Sequence, residues 1–238
     1  MKIIDLKNKN VFISGATGDI GMEISKKFSD LGCNLVLNGT NEKKLKDLSD
    51  SIKTDVNKIE IISADLGSIS EAERVAKEAK QIFNIDIVVN SAGVFPNLSI
   101  ANTTNEVLLE TISVNLIAPF VFIREFSQVM MQNNWGRIIN IGSSSSYSGF
   151  KNTSAYCASK HALLGLSRSA HDELKEHSIR TYCLSPSSTQ GKMGKKSTDQ
   201  DYSTFLSPSE IAEYVEFIIS FDSNVMVEEL MLKRLFTR

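Results

Sequence analysis

Two side chains four residues apart are of types that together can move a proton: Tyr156 and Lys160, in Ser154-Ala155-Tyr156-Cys157-Ala158-Ser159-Lys160. If this segment is helical, as the following Leu163, Leu166, Ala170 and Leu174 indicate, both lie on one face and their heads can meet. An ammonium beside a phenol favours the phenolate. It would draw the tyrosine pKa down from about 10 toward the range a general acid or base needs. Tyr-x-x-x-Lys recurs by chance, so its meaning depends on its company.

A second chemical feature lies near the amino terminus. Ser14-Gly15-Ala16-Thr17-Gly18-Asp19-Ile20-Gly21 follows an apolar run and opens into a helical pattern. Glycines permit a tight turn, and the helix start offers free N–H groups and a positive dipole end to a pyrophosphate. In this strand-loop-helix setting the loop predicts nucleotide binding. Asp19 complicates it: a carboxylate in the first turn suits the helix dipole but repels a nearby phosphate.

The elements that must position these groups are legible as alternation. Short apolar runs at 11–13, 35–37, 59–62, 85–89, 138–141 and 179–184 read as strands buried on both faces. Between them lie segments of helical period, such as Ile20, Ile24, Phe28 and Leu31, or Ile211, Val215, Ile218 and Ile219. The prediction is an α/β fold: a Rossmann-type, doubly wound parallel sheet with helices on both faces, in three layers. Ligands then bind outside the carboxyl ends of the strands. The length suits one domain spanning 1–238. The polar stretch 191–206 reads as a mobile loop over the substrate.

Taken in order and spacing, the glycine loop, Asn90-Ser91-Ala92-Gly93, Asn115, Ser143, Tyr156, Lys160 and Pro186 resemble the short-chain dehydrogenase/reductase family over almost the whole chain. The resemblance is to its compact branch, and to 3-oxoacyl-carrier-protein reductases within it. It implies a catalytic set of Asn115, Ser143, Tyr156 and Lys160: the tyrosine handles the proton, the lysine holds the nicotinamide ribose, and the serine polarises the substrate carbonyl. The asparagine supports a water in the proton relay. The sequence adds a physical reason, since Pro119 has no N–H and clashes with the carbonyl of residue 115, which should be left free. The resemblance further implies a dinucleotide held by Gly15, Thr17, Gly18, Asp19, Ile20 and Gly21, by Thr40 and Asn41, and by Asp65 and Leu66. Asn90, Ala92 and Gly93, then Pro186, Ser187 and Thr189, complete the set beside Tyr156 and Lys160.

Three departures stand out. Gly15, Gly18 and Gly21 follow the Gly-x-x-Gly-x-x-Gly spacing of the family's longer, sugar-nucleotide-modifying branch, although too few residues follow Lys160 to build that branch's substrate domain. Ser187 and Gly191 replace a usual Gly and Thr. The end of the second strand, Leu37-Asn38-Gly39-Thr40-Asn41, has neither the carboxylate that favours NAD nor the arginine that favours NADP. Lack of the carboxylate, with Thr40, Asn41 and Lys43 near, favours NADP, NAD being the alternative. A non-catalytic nucleotide sensor on the same fold is the competing function.

Composition narrows the partners. A net charge of −2 with interspersed signs gives no footprint for nucleic acid. No apolar run approaches the span of a bilayer, and the charged start, residues 1–9, is unlike a signal peptide, so a cytoplasmic protein is expected. Cys33, Cys157 and Cys183 show no metal or disulfide spacing and read as buried thiols; His161, His171 and His177 do not share a helix face. The partner implied is a small carbonyl or alcohol substrate. The resemblance also implies a homodimer or homotetramer.

Overall fold

The structure, a computed structural model, describes residues 4–196 and 200–236. Residues 197–199 of the expected substrate loop lie outside the described residues. Seven strands form one sheet, every pairing parallel, in the order β3-β2-β1-β4-β5-β6-β7. They are β1 (Asn10–Ser14), β2 (Asn34–Gly39), β3 (Ile59–Ser63), β4 (Ile87–Asn90), β5 (Gly136–Ile141), β6 (Ile179–Pro186) and β7 (Glu229–Leu232). The helices are α1 (Asp19–Asp30), α2 (Glu42–Ile52), α3 (Ile69–Ile82), α4 (Asn105–Ile112), α5 (Ala118–Gln132), α6 (Ser154–Leu174) and α7 (Pro208–Ile219).

Period-two alternation sorts each strand between two cores. Val11 and Ile13 pack with Ile24 and Phe28 of α1, Leu45 of α2 and Ile211 and Val215 of α7. Phe12, between them, faces the opposite way, against Val75 of α3, Phe122 and Phe126 of α5 and Leu174 of α6. The layers are therefore helix, sheet, helix. Strand order reverses between β1 and β4, and a doubly wound sheet opens its binding crevice at such a point, outside the strands' carboxyl ends.

The six expected strands are present; β7 went unseen. It is four residues long at the sheet edge, and it begins with Glu229, whose carboxylate binds Arg168 and the Tyr147 hydroxyl. A short, half-buried edge strand carries too weak a pattern to announce itself. A second correction concerns Asn105–Gln132. This continuous helical stretch is long and apolar enough, by length and composition, to cross a membrane. In the fold its apolar side is core: Val114, Val121, Phe122, Phe126 and Met130 are buried.

Phe12 lies fully buried with its ring centroid 4.7 Å from Phe122 and 5.1 Å from Phe126. Truncation to Phe12→Ala should cost about 3–5 kcal/mol of stability, read from the midpoint of urea unfolding. A loss below about 1 kcal/mol would contradict this packing.

Candidate active site

The turn from β1 into α1 is tight because two glycines, one in the loop and one in the first turn of α1, have no room for a side chain. Gly15 adopts φ +66°, and a Cβ there would lie 2.6 Å from the Ala92 backbone. At Gly21 a Cβ would lie 2.2 Å from the Gly15 carbonyl oxygen. Gly18 caps α1 without a side chain, so the first-turn N–H groups meet no side-chain acceptor there and the positive helix end borders the cleft.

Asp19, the first residue of α1, is tied to another part of the cleft wall. Its Oδ2 accepts the Lys192 N–H at 2.8 Å, in the segment after β6. Gly191, beside it, has φ +133°, and a Cβ would stand 2.2 Å from the same carboxylate oxygen. The carboxylate that complicates phosphate binding and the glycine that replaces a usual Thr thus stand side by side.

A cleft of about 1400 Å³ runs across the carboxyl ends of the strands. Of the residues expected to bind cofactor, Gly15, Thr17, Gly18, Asp19, Ile20, Gly21, Thr40, Asp65, Leu66, Ala92, Gly93, Pro186, Ser187 and Thr189 line it, together with Ser143, Tyr156 and Lys160. Asn41, Asn90 and Asn115 do not line it. The Asn41 Oδ1 caps α2 by accepting the Lys44 N–H, and Lys43 is absent from the cleft wall, so of the three residues near the second strand only Thr40 faces it. Asn90 is buried and donates to Asn140 Oδ1 at 2.7 Å. Residues that sequence reasoning passed over as ligands also line the cleft: Asn38, with a buried Oδ1 that has no partner among the described residues, Phe95, Lys192 and Arg234. Their types are unremarkable in sequence, and only the chain's return brings them here.

The Asn115 side chain has a structural office beside the water contact expected of the residue's main-chain carbonyl. It is fully buried; its Oδ1 accepts the Val94 N–H at 2.9 Å, and its Nδ2 donates to the Val94 carbonyl and the Ser159 hydroxyl, each at 3.0 Å. The backbone there is widened: residues Ser113–Ile117 form a π turn, and the Ala118 N–H reaches back five residues to the Ser113 carbonyl. Pro119 stands at the start of α5, where it has no N–H to offer the Asn115 carbonyl. The expected interruption is present as a π turn.

The proton chemistry is set by burial. Tyr156 packs edge-on to Phe95 with ring centroids 4.8 Å apart. Burial pushes its phenol above the ordinary range, with the Ser143 hydroxyl as the opposing influence. This corrects the expectation that Lys160 lowers it. Lys160 Nζ is 5.8 Å from the centre of the tyrosine ring and donates to the Ile141 carbonyl at 2.7 Å. Burial brings the Lys160 ammonium itself down to about 8.

These residues fit a dinucleotide on two counts: an uncapped helix start beside a glycine cradle, and a crevice whose volume exceeds that of a drug-sized site. The family model described as short chain dehydrogenase matches residues 9–202. The chain belongs to the short-chain dehydrogenase family. Members of that family are NAD(P)-dependent oxidoreductases acting on CH–OH groups, and this short-chain dehydrogenase is one of them. It is 31% identical to the protein named 3-oxoacyl-(acyl-carrier-protein) reductase FabG of Rickettsia bellii, with 96% of each chain covered. The protein of the same name from Rickettsia felis is 32% identical, with 92% of each covered. Among solved structures, a metagenomic short-chain oxidoreductase in complex with NADP superposes with a TM-score of 0.85 at 26% identity, covering 98% of this chain and 100% of that one.

The Lys160 environment sets a pH dependence. The unfolded side chain titrates at its ordinary 10.5 and the folded one near 8, so between these values the unfolded state binds more protons and stability should rise with pH. Lys160→Met should flatten that rise when urea midpoints are compared at several pH values across the window. Parallel curves for the two proteins would refute the buried, proton-releasing lysine.

Proposed function

We propose that this short-chain dehydrogenase reduces a small carbonyl compound to a secondary alcohol with NADPH, or runs the reverse, with Tyr156, Ser143 and Lys160 as the catalytic residues. The observation that carries the reading is the meeting of these three side chains in one cleft wall, opposite a glycine cradle at the start of α1. The nicotinamide, when bound, supplies the hydride chemistry. The chain does the rest. Ser143, at the end of β5, donates to the substrate oxygen, and Tyr156 delivers a proton to that oxygen as it gains charge. A phenol held protonated by burial is suited to donating in the reductive direction. Lys160, anchored on Ile141, lines the same wall and offers its remaining N–H donors to the cofactor ribose. Asn115 positions the Val94 strand-end segment against α6, and its main-chain carbonyl, facing Pro119, is the acceptor assigned to a relay water.

The names of the Rickettsia relatives support a 3-oxoacyl thioester as the carbonyl compound. NADPH is supported by the absence of a carboxylate in Asn38-Gly39-Thr40 and by the start of α2 immediately beyond, whose positive end favours a 2′-phosphate. An NADP complex at 25% identity, described as a gluconate 5-dehydrogenase of Beutenbergia cavernae, adds to this. The exposed Leu109 and Phe120 on α4 and α5 support assembly through those helices.

Tyr156→Phe should abolish NADPH oxidation with carbonyl substrates, a loss of about 10²-fold or more, while cofactor affinity stays within about threefold. Retained turnover would overturn the proton assignment. Fluorescence titration of NADPH and NADH should give the tighter constant for NADPH; tighter NADH would reverse the cofactor assignment.

A further inference from the structure

Arg234 is a charged group in the cleft wall to which the reaction above gives no work. It follows β7, and two hydrogen bonds bring it beside the end of β6: the Ser187 N–H donates to the Leu232 carbonyl, and the Arg234 N–H donates to Ser187 Oγ at 3.2 Å. Its guanidinium lies over the Phe205 ring, 5.0 Å from the centroid. Only neutral acceptors meet it: Thr204 Oγ1 at 3.0 Å and Gln200 Oε1 at 2.7 Å, each from a different terminal nitrogen. Asp201 Oδ1 accepts from the Ser203 N–H and hydroxyl, and its charge reaches the guanidinium only through space. Arg234 makes no ion pair among the described residues. A guanidinium has five N–H donors, so three are left over among the described residues, including a buried Nε. An arginine fixed by stacking and by two neutral bonds is already oriented before any anion arrives, which lowers the entropy lost on binding.

Its place in the sheet says which anion. Strands lie about 4.8 Å apart, so β7 is roughly 10 Å from β5, which Ser143 follows, and roughly 19 Å from β1, which the glycine cradle follows. The 2′-phosphate end, beyond β2, is farther still. The cofactor's phosphates therefore belong to the other half of the cleft, and Arg234 serves the substrate half. Lys233 lines the same half and adds to its positive potential.

We propose that Arg234 forms an anion subsite, so that the carbonyl substrate of this enzyme carries a carboxylate or phosphate a few bonds from the carbonyl, which docks on this guanidinium while the carbonyl lies at Ser143 and Tyr156. This rests on the reductase reading, narrows it to compact anionic substrates, and departs from the 3-oxoacyl thioester of the relatives' names, which carries no charge near its carbonyl. A neutral carbonyl compound lacks the group that Arg234 is built to receive. Fork geometry matters here, since a lysine offers charge without two parallel donors.

The test compares 5-oxohexanoate with its methyl ester and dihydroxyacetone phosphate with dihydroxyacetone, following NADPH oxidation. One anionic member should exceed its neutral partner by about tenfold or more in kcat/KM, and Arg234→Gln should erase most of that advantage through KM, leaving kcat and the neutral partner within about twofold. Arg234→Lys should fall between. The identity of the preferred member separates a carboxylate from a phosphate. Equal turnover of charged and neutral partners by the intact enzyme, or an advantage that survives Arg234→Gln, would overturn the subsite. Calorimetric titration of succinate and inorganic phosphate into the NADP+-bound protein reads the same subsite without turnover. Binding of either anion, weakened about tenfold by Arg234→Gln, is expected. Absence of binding by both anions overturns the subsite, whereas failure to oxidise NADPH with any carbonyl overturns the reductase reading alone.

Discussion

A single buried amide holds the active face of this fold together. Asn115 stands in the π turn between α4 and α5, yet its three side-chain hydrogen bonds go elsewhere: two to the main chain of Val94, beyond β4, and one to Ser159 on α6. Each such bond contributes about 1 kcal/mol net, but the cost of removing the amide is larger, because buried donors and acceptors on Val94 would be left unmade at about 1–3 kcal/mol each. The consequence is geometric. Gly93 is held so close that a Cβ there would touch both Asn115 Oδ1 at 3.5 Å and Lys160 Nζ at 4.0 Å. The segment after β4, helix α6 and the helix break are therefore tied together by one side chain, which reaches inward from the π turn just before Pro119.

Within that unit, burial rather than pairing sets the charge states. Lys160 is buried with the Ile141 main-chain carbonyl for its ammonium, and Tyr156 is buried against Phe95 with the Ser143 hydroxyl as its polar partner. Both groups are thereby pushed toward their neutral forms, the phenol up and the ammonium down. A neutral phenol is a donor, and a lysine near 8 exchanges protons within the physiological range. The site is consequently poised by desolvation, and a bound dinucleotide, which brings its own charge and hydroxyl groups, is the natural agent to change that balance.

Much of this was legible in the sequence because it depended on local pattern. Six strands announced themselves because a strand buried on both faces is a continuous apolar run, and Tyr156 and Lys160 shared a face because four residues make about one helical turn. The cradle was readable because Gly15 and Gly21 precede a helical stripe. What escaped depended on where distant segments meet. Asn41 reads as a phosphate contact until its position at the cap of α2 gives its oxygen to Lys44. The direction of the tyrosine shift hinged on solvent exposure and on the acceptor that Lys160 finds in Ile141, 19 positions earlier. Arg234 and β7 lie at the far end of the chain and enter the cleft only because the last strand returns to the sheet edge.

The contact between Asp19 and Gly191 has a consequence for the two segments it joins. A side chain at 191 would strike the carboxylate, and the carboxylate, deprived of the Lys192 N–H, would be left beside the helix end that a pyrophosphate needs. The coupling runs in one direction: position 191 has no room for a side chain while the carboxylate stands at 19, whereas loss of the carboxylate asks nothing of a glycine. The turn after β1 and the segment after β6 are in that sense latched to each other across the cleft.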